Sequence, residues 1–242
     1  MKIEQKLFSP SQGWQNRSGD LQGLAPQLTL VFGGRNLLED PAHILTLKNL
    51  YPATRLVLAS TSGEITDTEV TEDHLAVTAI HFEKNTINCA LASVSDVSES
   101  HAVGVALARE LIAPGLVHVF VVSDGAKING TELSRGFNET LPKGVKLTGG
   151  LAGDGTRFAK TLIGLDSPPI PGQVVAIGCY GAHLRVGFGS SGGWSPFGAE
   201  RLVTKSSSNS FPVIHDRLVV VTWRVCWAHR RVLVTVSHLR RV

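Results

Sequence analysis

The chain has 242 residues, 43% apolar and 18% charged, which suits a globular protein with an ample core and argues against disorder. No stretch approaches the roughly 18–20 apolar residues of a membrane span, and the opening MKIEQKLFSPSQGWQN lacks the apolar centre of a signal peptide, so a cytoplasmic protein without a membrane partner is expected. The net charge of +3 is concentrated in one place: residues 209–242 hold six arginines, no lysine and one acid, Asp216. The rest is mildly acidic, and no nucleic-acid partner is expected.

Residues 1–27 mix Gly, Ser, Gln and Pro without a clear period and read as a leading loop with one short strand at most. LTLVFGG, from residue 28, is a buried strand closed by glycines. In DPAHILTLKNLYP, Asp40 caps a helix, Pro41 opens it and Pro52 stops it. TRLVLAS is the next strand, so strand, helix and strand form a βαβ unit. HLAVTAIHF and TINCALASV, separated by Glu83-Lys84-Asn85, read as a β-hairpin. Asp96 and Glu99 make a capping box for a helix through SHAVGVALARELIAPG. LVHVFVVSDG is a strand that opens into a second helix, TELSRGFNETLP.

From residue 147 the period becomes two, and RFAKTLIGLD, GQVVAIGCYG, LRVGFG and ERLVTKS read as strands of an antiparallel meander. The expected fold class is mixed α/β, with a βαβ-like first half and a meander second half. No repeat of 20–50 residues is apparent. After residue 208 there is no glycine, and FPVIHDRLVVVTWRVCWAHRRVLVTVSHLRRV has nine valines without clean alternation. Two readings of this basic tail stay open: an edge hairpin, for which it has no turn to fold it back, and the product of a shifted frame, since Thr222 to Ala228 read two bases out of frame give a helix-like run ending in Leu-Gly.

Three cysteines, Cys89, Cys179 and Cys226, lie far apart and read as reduced structural thiols. The nine histidines lack metal-ligand spacing, and His81 and His118 read as core or edge residues within apolar strands. No metal or cofactor is expected. KLTGGLAGDGTRFAKT, residues 146–161, comes within one lysine of a phosphate loop. Thr156-Arg157 stand where Lys-Ser/Thr should, and a strand-like run follows in place of a helix, so the glycines read as a turn that presents Asp154.

Carboxylates on three glycine-containing loops, Glu64, Asp124 and Asp154, offer general acid/base work or an amine-binding corner. Gly189 to Gly193 satisfies G-x-S-x-G around Ser191, but GWSPFG cannot begin the helix that a nucleophile elbow needs. These glycines read as a loop presenting Trp194. The candidate ligand-binding set is Ser60, Thr61, Gly63, Glu64, Ser123, Asp124, Gly149, Gly150, Gly153, Asp154, Gly193 and Trp194, with no catalytic residue. Two other readings stand beside it: a small hydrolase or transferase using Ser191 or the loop acids, and a protein-interaction scaffold.

Three segments together carry a family resemblance. LASTSGEI is similar to a G-C-S-T-x-G-E-I strand end, VVSDGAKINGTELSRGFNETLPKGVKLTGGLAGDGTRF to a central run, and GQVVAIGCYGAHLRVGFGSSGGWSPFGAERLVTKS to a closing run. Over residues 28–208 the chain resembles the FIST domain, the F-box and intracellular signal transduction module. The resemblance implies a non-catalytic cytoplasmic sensory domain of bacteria that binds a small ligand, amino acids being the suggested class, that is found alone or joined to kinase, chemotaxis or cyclase modules, and that has a signalling output protein as its expected partner. In that family a helix ending in Leu-Gly and a second carboxy-terminal region follow, and the present chain departs from the pattern after about Asn209. The expected organisation is a leading segment over 1–27, the sensory domain over 28–208 and an atypical, truncated tail over 209–242.

Overall fold

The structure, a computed structural model, describes residues 1–66 and 68–187 in full and, beyond them, the backbone of four strands between 203 and 238. The chain divides into two compact units, residues 1–187 and 188–242. Each is described by itself.

The first unit begins with β1 (Lys2–Ser9) and β2 (Gly13–Gly19), an antiparallel hairpin where the sequence reading expects mostly loop. Only Leu7 and Ser9 of β1 are buried, so its inward face is too sparse to register as an apolar alternation. β3 (Leu28–Gly33) leads through α1 (Arg35–Glu39) and α2 (Pro41–Leu50) to β4 (Arg55–Ser60), which lies parallel to β3. The expected cap is present: the Asp40 carboxylate accepts from the Ala42 N–H at 2.9 Å, with Pro41 at the first helical position. A small hairpin of β5 (Glu64–Thr66) and β6 (Glu69–Thr71) precedes β7 (Leu75–His81).

β8 (Thr86–Ser93) opens the second half of this unit, and the Asp96–Glu99 capping box starts a short 3₁₀ turn that runs into α3 (Ser100–Leu111). Then come β9 (Leu116–Ser123), α4 (Gly130–Thr140), β10 (Lys146–Leu151), β11 (Ile163–Leu165) and β12 (Gln173–Tyr180). Two mixed sheets result, ordered β11-β4-β3-β7-β1-β2 and β10-β9-β12-β8. The mixed α/β class is as expected.

Two pairings differ from the sequence reading. β7 and β8 do not form a hairpin: β7 lies between β3 and β1, β8 pairs with β12, and Glu83-Lys84-Asn85 connects one sheet to the other. The residues between them hold no Asn-Gly or Gly-X pair to fold the strands into a tight turn, and burial on both sheets decides their partners instead. The second half is not a meander either. β10 runs parallel to β9 through α4, a second βαβ unit, and Gly149 and Gly150 lie inside this edge strand rather than in a turn. Of the remaining expected strands, RFAKT contributes none, Ile163–Leu165 crosses to pair with β4 and residues 184–187 form no strand, whereas GQVVAIGCYG and ERLVTKS supply the antiparallel strands Gln173–Tyr180 and Val203–Ser207.

Three clusters of buried side chains define the layers. Leu28, Val57, Ala59, Ile163 and Leu165 of one sheet meet Cys89, Val122, Val175 and Ile177 of the other, so the sheets pack face to face. Outside the first sheet, Leu38 of α1 and Ile44 and Leu47 of α2 cover Val31, Leu56 and Val77. Outside the second, Leu107 and Leu111 of α3 and Leu133 and Phe137 of α4 cover Val119, Val121 and Ala176. Helices therefore coat both outer faces of a β-sandwich.

The two sheets follow one plan. In each, a first strand (β1 or β8), a second (β3 or β9), a third reached through helix (β4 or β10) and a fourth (β7 or β12) lie side by side in the order third, second, fourth, first. The pairing senses agree throughout: parallel, antiparallel, antiparallel. The strand ends also match. Thr61 N donates to Gly33 O at 3.1 Å as Ala152 N does to Ser123 O at 2.8 Å, and Gly34 N donates to His74 O at 3.0 Å as Asp124 N does to Gln173 O at 2.9 Å. The repeated plan covers four strands of each sheet, β2 and β11 lying outside it, and its period is far longer than 20–50 residues.

In the second unit, β13 (Val203–Ser207), β14 (Ser210–Ile214), β15 (Arg217–Thr222) and β16 (Thr235–His238) form an antiparallel ladder in chain order.

Candidate functional site

The carboxyl ends of the parallel strands meet where the two sheets join, the place where open α/β sheets take ligands. Ser60, the last residue of β4, fastens the two loops. Its hydroxyl donates to Gly153 O at 2.7 Å and accepts from Leu162 N at 2.9 Å, while its carbonyl accepts from Gly153 N at 2.9 Å. Gly153 is required for this approach, since a Cβ there would stand 2.8 Å from the Ser62 nitrogen. Ser62 Oγ in turn accepts from Gly155 N at 3.2 Å. The segment from Ser60 at the end of β4 to Glu64 at the start of β5 thus adjoins the loop that holds Gly153 and Asp154.

Each of the three acids accepts hydrogen bonds from this chain's own donors. Asp154 is 5% exposed and accepts from Ala159 N (2.9 Å), Lys160 N (3.1 Å), Arg157 Nε (3.0 Å) and an Arg35 guanidinium nitrogen (2.9 Å). Burial pushes its carboxyl up, and these four donors outweigh it and hold it below the usual aspartate range. Asp124, fully buried, accepts from Ala126 N, Lys127 N and Gly172 N at 2.7, 2.6 and 2.9 Å, which folds the turn after β9. Glu64 accepts from the Thr61 hydroxyl at 2.6 Å and from His74 N at 3.2 Å, and its burial pushes the carboxyl upward. Arg35 and Arg157, which the sequence reading missed, are drawn in by Asp154. The Arg157 spacing of three from Asp154 was the available signal.

Ser123, Gly149 and Gly150 come together elsewhere, on a cleft of about 250 Å³ between β10 and α4. Val121, Leu133, Leu147 and Leu151 give it apolar walls, and Gly130 and Ser134 of α4 close the helix side. Ser123 Oγ is buried and makes no hydrogen bond among the described residues. Comparison of the two halves explains the opening. By strand register Gly149 stands where the first half has Leu58, a side chain with no exposure packed under α2. Gly149 has φ +148°, and a Cβ would collide with the Val121 carbonyl, so this position cannot fill the space with a side chain.

A second hollow of about 300 Å³ lies at the other end of β9 and β10, with His118, Lys146 and Arg185 among its lining. His118 bonds Thr148 through Nε2 at 2.8 Å, and burial lowers its basicity, in keeping with a neutral core histidine. Ser191, Gly193 and Trp194 lie outside the described residues. Among the described residues no group of three His, Cys, Asp or Glu side chains is arranged to hold a metal ion, and no helix is long and apolar enough to cross a membrane.

A family model, the FIST N domain, matches residues 27–211. No curated protein matches the chain.

Proposed function

The chain belongs to the FIST N-domain family of sensory signal-transduction modules, and from that premise we propose that it is a non-catalytic cytoplasmic sensor whose small ligand sits in the cleft between β10 and α4. The observation that carries this reading is the opening at Gly149, where the equivalent position of the first half is packed shut by Leu58. The cleft is apolar on its walls, and its polar groups are the Ser123 and Ser134 hydroxyls and the backbone of an edge strand. An edge strand offers both N–H donors and C=O acceptors, which suits a zwitterionic amino acid better than a carboxylate cluster would. A small amino acid with an apolar side chain is the ligand class this lining favours.

Thermal-shift measurement with the proteinogenic amino acids tests the reading. A ligand at 100 times its dissociation constant stabilises by about 2.7 kcal/mol. The expected result is a shift with one or a few apolar amino acids that Ser134→Phe, placed on the cleft wall, abolishes. No shift with any amino acid, or a shift indifferent to Ser134→Phe, would overturn it.

A further inference from the structure

We infer that one end of the cleft between β10 and α4, where Ser123 meets the first residue of α4, is a subsite for the ligand's carboxylate. This rests on the cleft being the ligand site and adds which way round a zwitterion lies in it. Two separate features meet there: a buried hydroxyl without a partner and the amino end of a helix.

Ser123 lines the cleft and is 1% exposed, and its hydroxyl makes no hydrogen bond among the described residues. A buried hydroxyl in that state is destabilising, so a group entering the cleft is expected to meet it. Comparison of the two halves shows that this hydroxyl departs from an apolar plan. By strand register, and by the matching strand-end bonds, Ser123 stands where the first half has Gly33. A Cβ on Gly33 would collide with the Leu75 side chain, so that position has no room for a hydroxyl. The second half sets the smaller Val174 in the place of Leu75, beside Ser123. Ser123 and Gly149 are therefore two departures from the closed plan, and both fall on the cleft.

The helix supplies the charge. Gly130, the first residue of α4, also lines the cleft and has no side chain to shield the helix end. Asn129 Oδ1 accepts from the Thr131 and Glu132 N–H groups at 3.0 and 3.3 Å, a cap that does not take the Gly130 N–H. The amino end of a helix carries partial positive charge and favours an anion at its first turn. The acids of this region are engaged elsewhere: Glu132 pairs with Arg135 at 2.6 Å, and Asp124 accepts from three backbone N–H groups. A carboxylate held here leaves the apolar side chain of the ligand to the walls formed by Val121, Leu133 and Leu147.

The test is calorimetric titration of the whole 242-residue chain with leucine and valine, with isocaproate and isovalerate, which lack the amine, and with isoamylamine and isobutylamine, which lack the carboxylate. The acids should bind within several-fold of the amino acids, and the amines should not bind. Ser123→Ala should weaken the acids and amino acids about tenfold. The urea midpoint of the ligand-free variant should hold or rise, because a hydroxyl met only by ligand contributes nothing without it. Amines binding in place of acids, an unchanged affinity in Ser123→Ala, or a lowered midpoint in that variant would each overturn the carboxylate subsite while leaving the cleft as the ligand site. Binding of none of these compounds would overturn both readings.

Discussion

Asp154 organises the loop that follows β10, and its four donors come from three different sources: two backbone amides, Arg157 and Arg35. Asp154→Ala would strand the largely buried Arg35 charge and the two amides, at a cost of about 3–5 kcal/mol in urea unfolding. Its carboxyl is held below its unfolded value, so its contribution is present above that value and is lost as pH falls through the folded one, in the region below about pH 4. Glu64 has the opposite sign. Its carboxyl is raised by burial, so its contribution is complete at acid pH and declines as pH rises through the raised value. Urea midpoints measured across pH should therefore show Asp154→Asn losing the acid limb, and Glu64→Gln flattening the decline toward neutrality. Glu64→Gln with the same profile as the parent would contradict this assignment.

The crossing of α3 and α4 depends on two glycines. A Cβ on Gly104 would strike the Leu133 carbonyl, and one on Gly136 the His101 carbonyl, so the helices touch backbone to backbone. Gly104→Ala should cost about 1–3 kcal/mol. Gly150→Ala, which meets nothing within 4 Å, should stay within about 0.5 kcal/mol, and denaturant midpoints compare the two directly. The elements legible from sequence were those with local punctuation: Asp40-Pro41 fixed the start of α2, and Asp96 with Glu99 fixed the turn into α3. Strand partners were not legible, because an apolar alternation reports burial and not which strand lies alongside. Alternation and proximity in sequence therefore suggest a β7–β8 hairpin that does not form. The candidate site was legible in part. Glycines and acids marked the strand ends, but whether an acid faces a ligand or its own loop is decided by donors such as Arg35, 119 residues away in sequence.

Across the whole molecule, Cys89 and Cys179 lie buried among the side chains between the sheets, and burial raises both thiols to about 11. Neither should react with iodoacetamide at pH 8 in the native protein, and both should react at a common rate once the sandwich opens, as mass mapping of the modified peptides would show. Fast labelling of either in the native state would argue against the face-to-face packing.

The single passage Phe82–Asn85 carries the chain from the first plan to the second, while β11, encoded in the second, completes the sheet of the first. Architecturally the unit is a covalent dimer of halves with one arm exchanged. Severed in that passage, residues 1–83 and 84–242 should each remain unstructured alone and reassemble on mixing, with recovery of the native circular dichroism. The fragment that lends its arm is then the one on which its neighbour depends to fold.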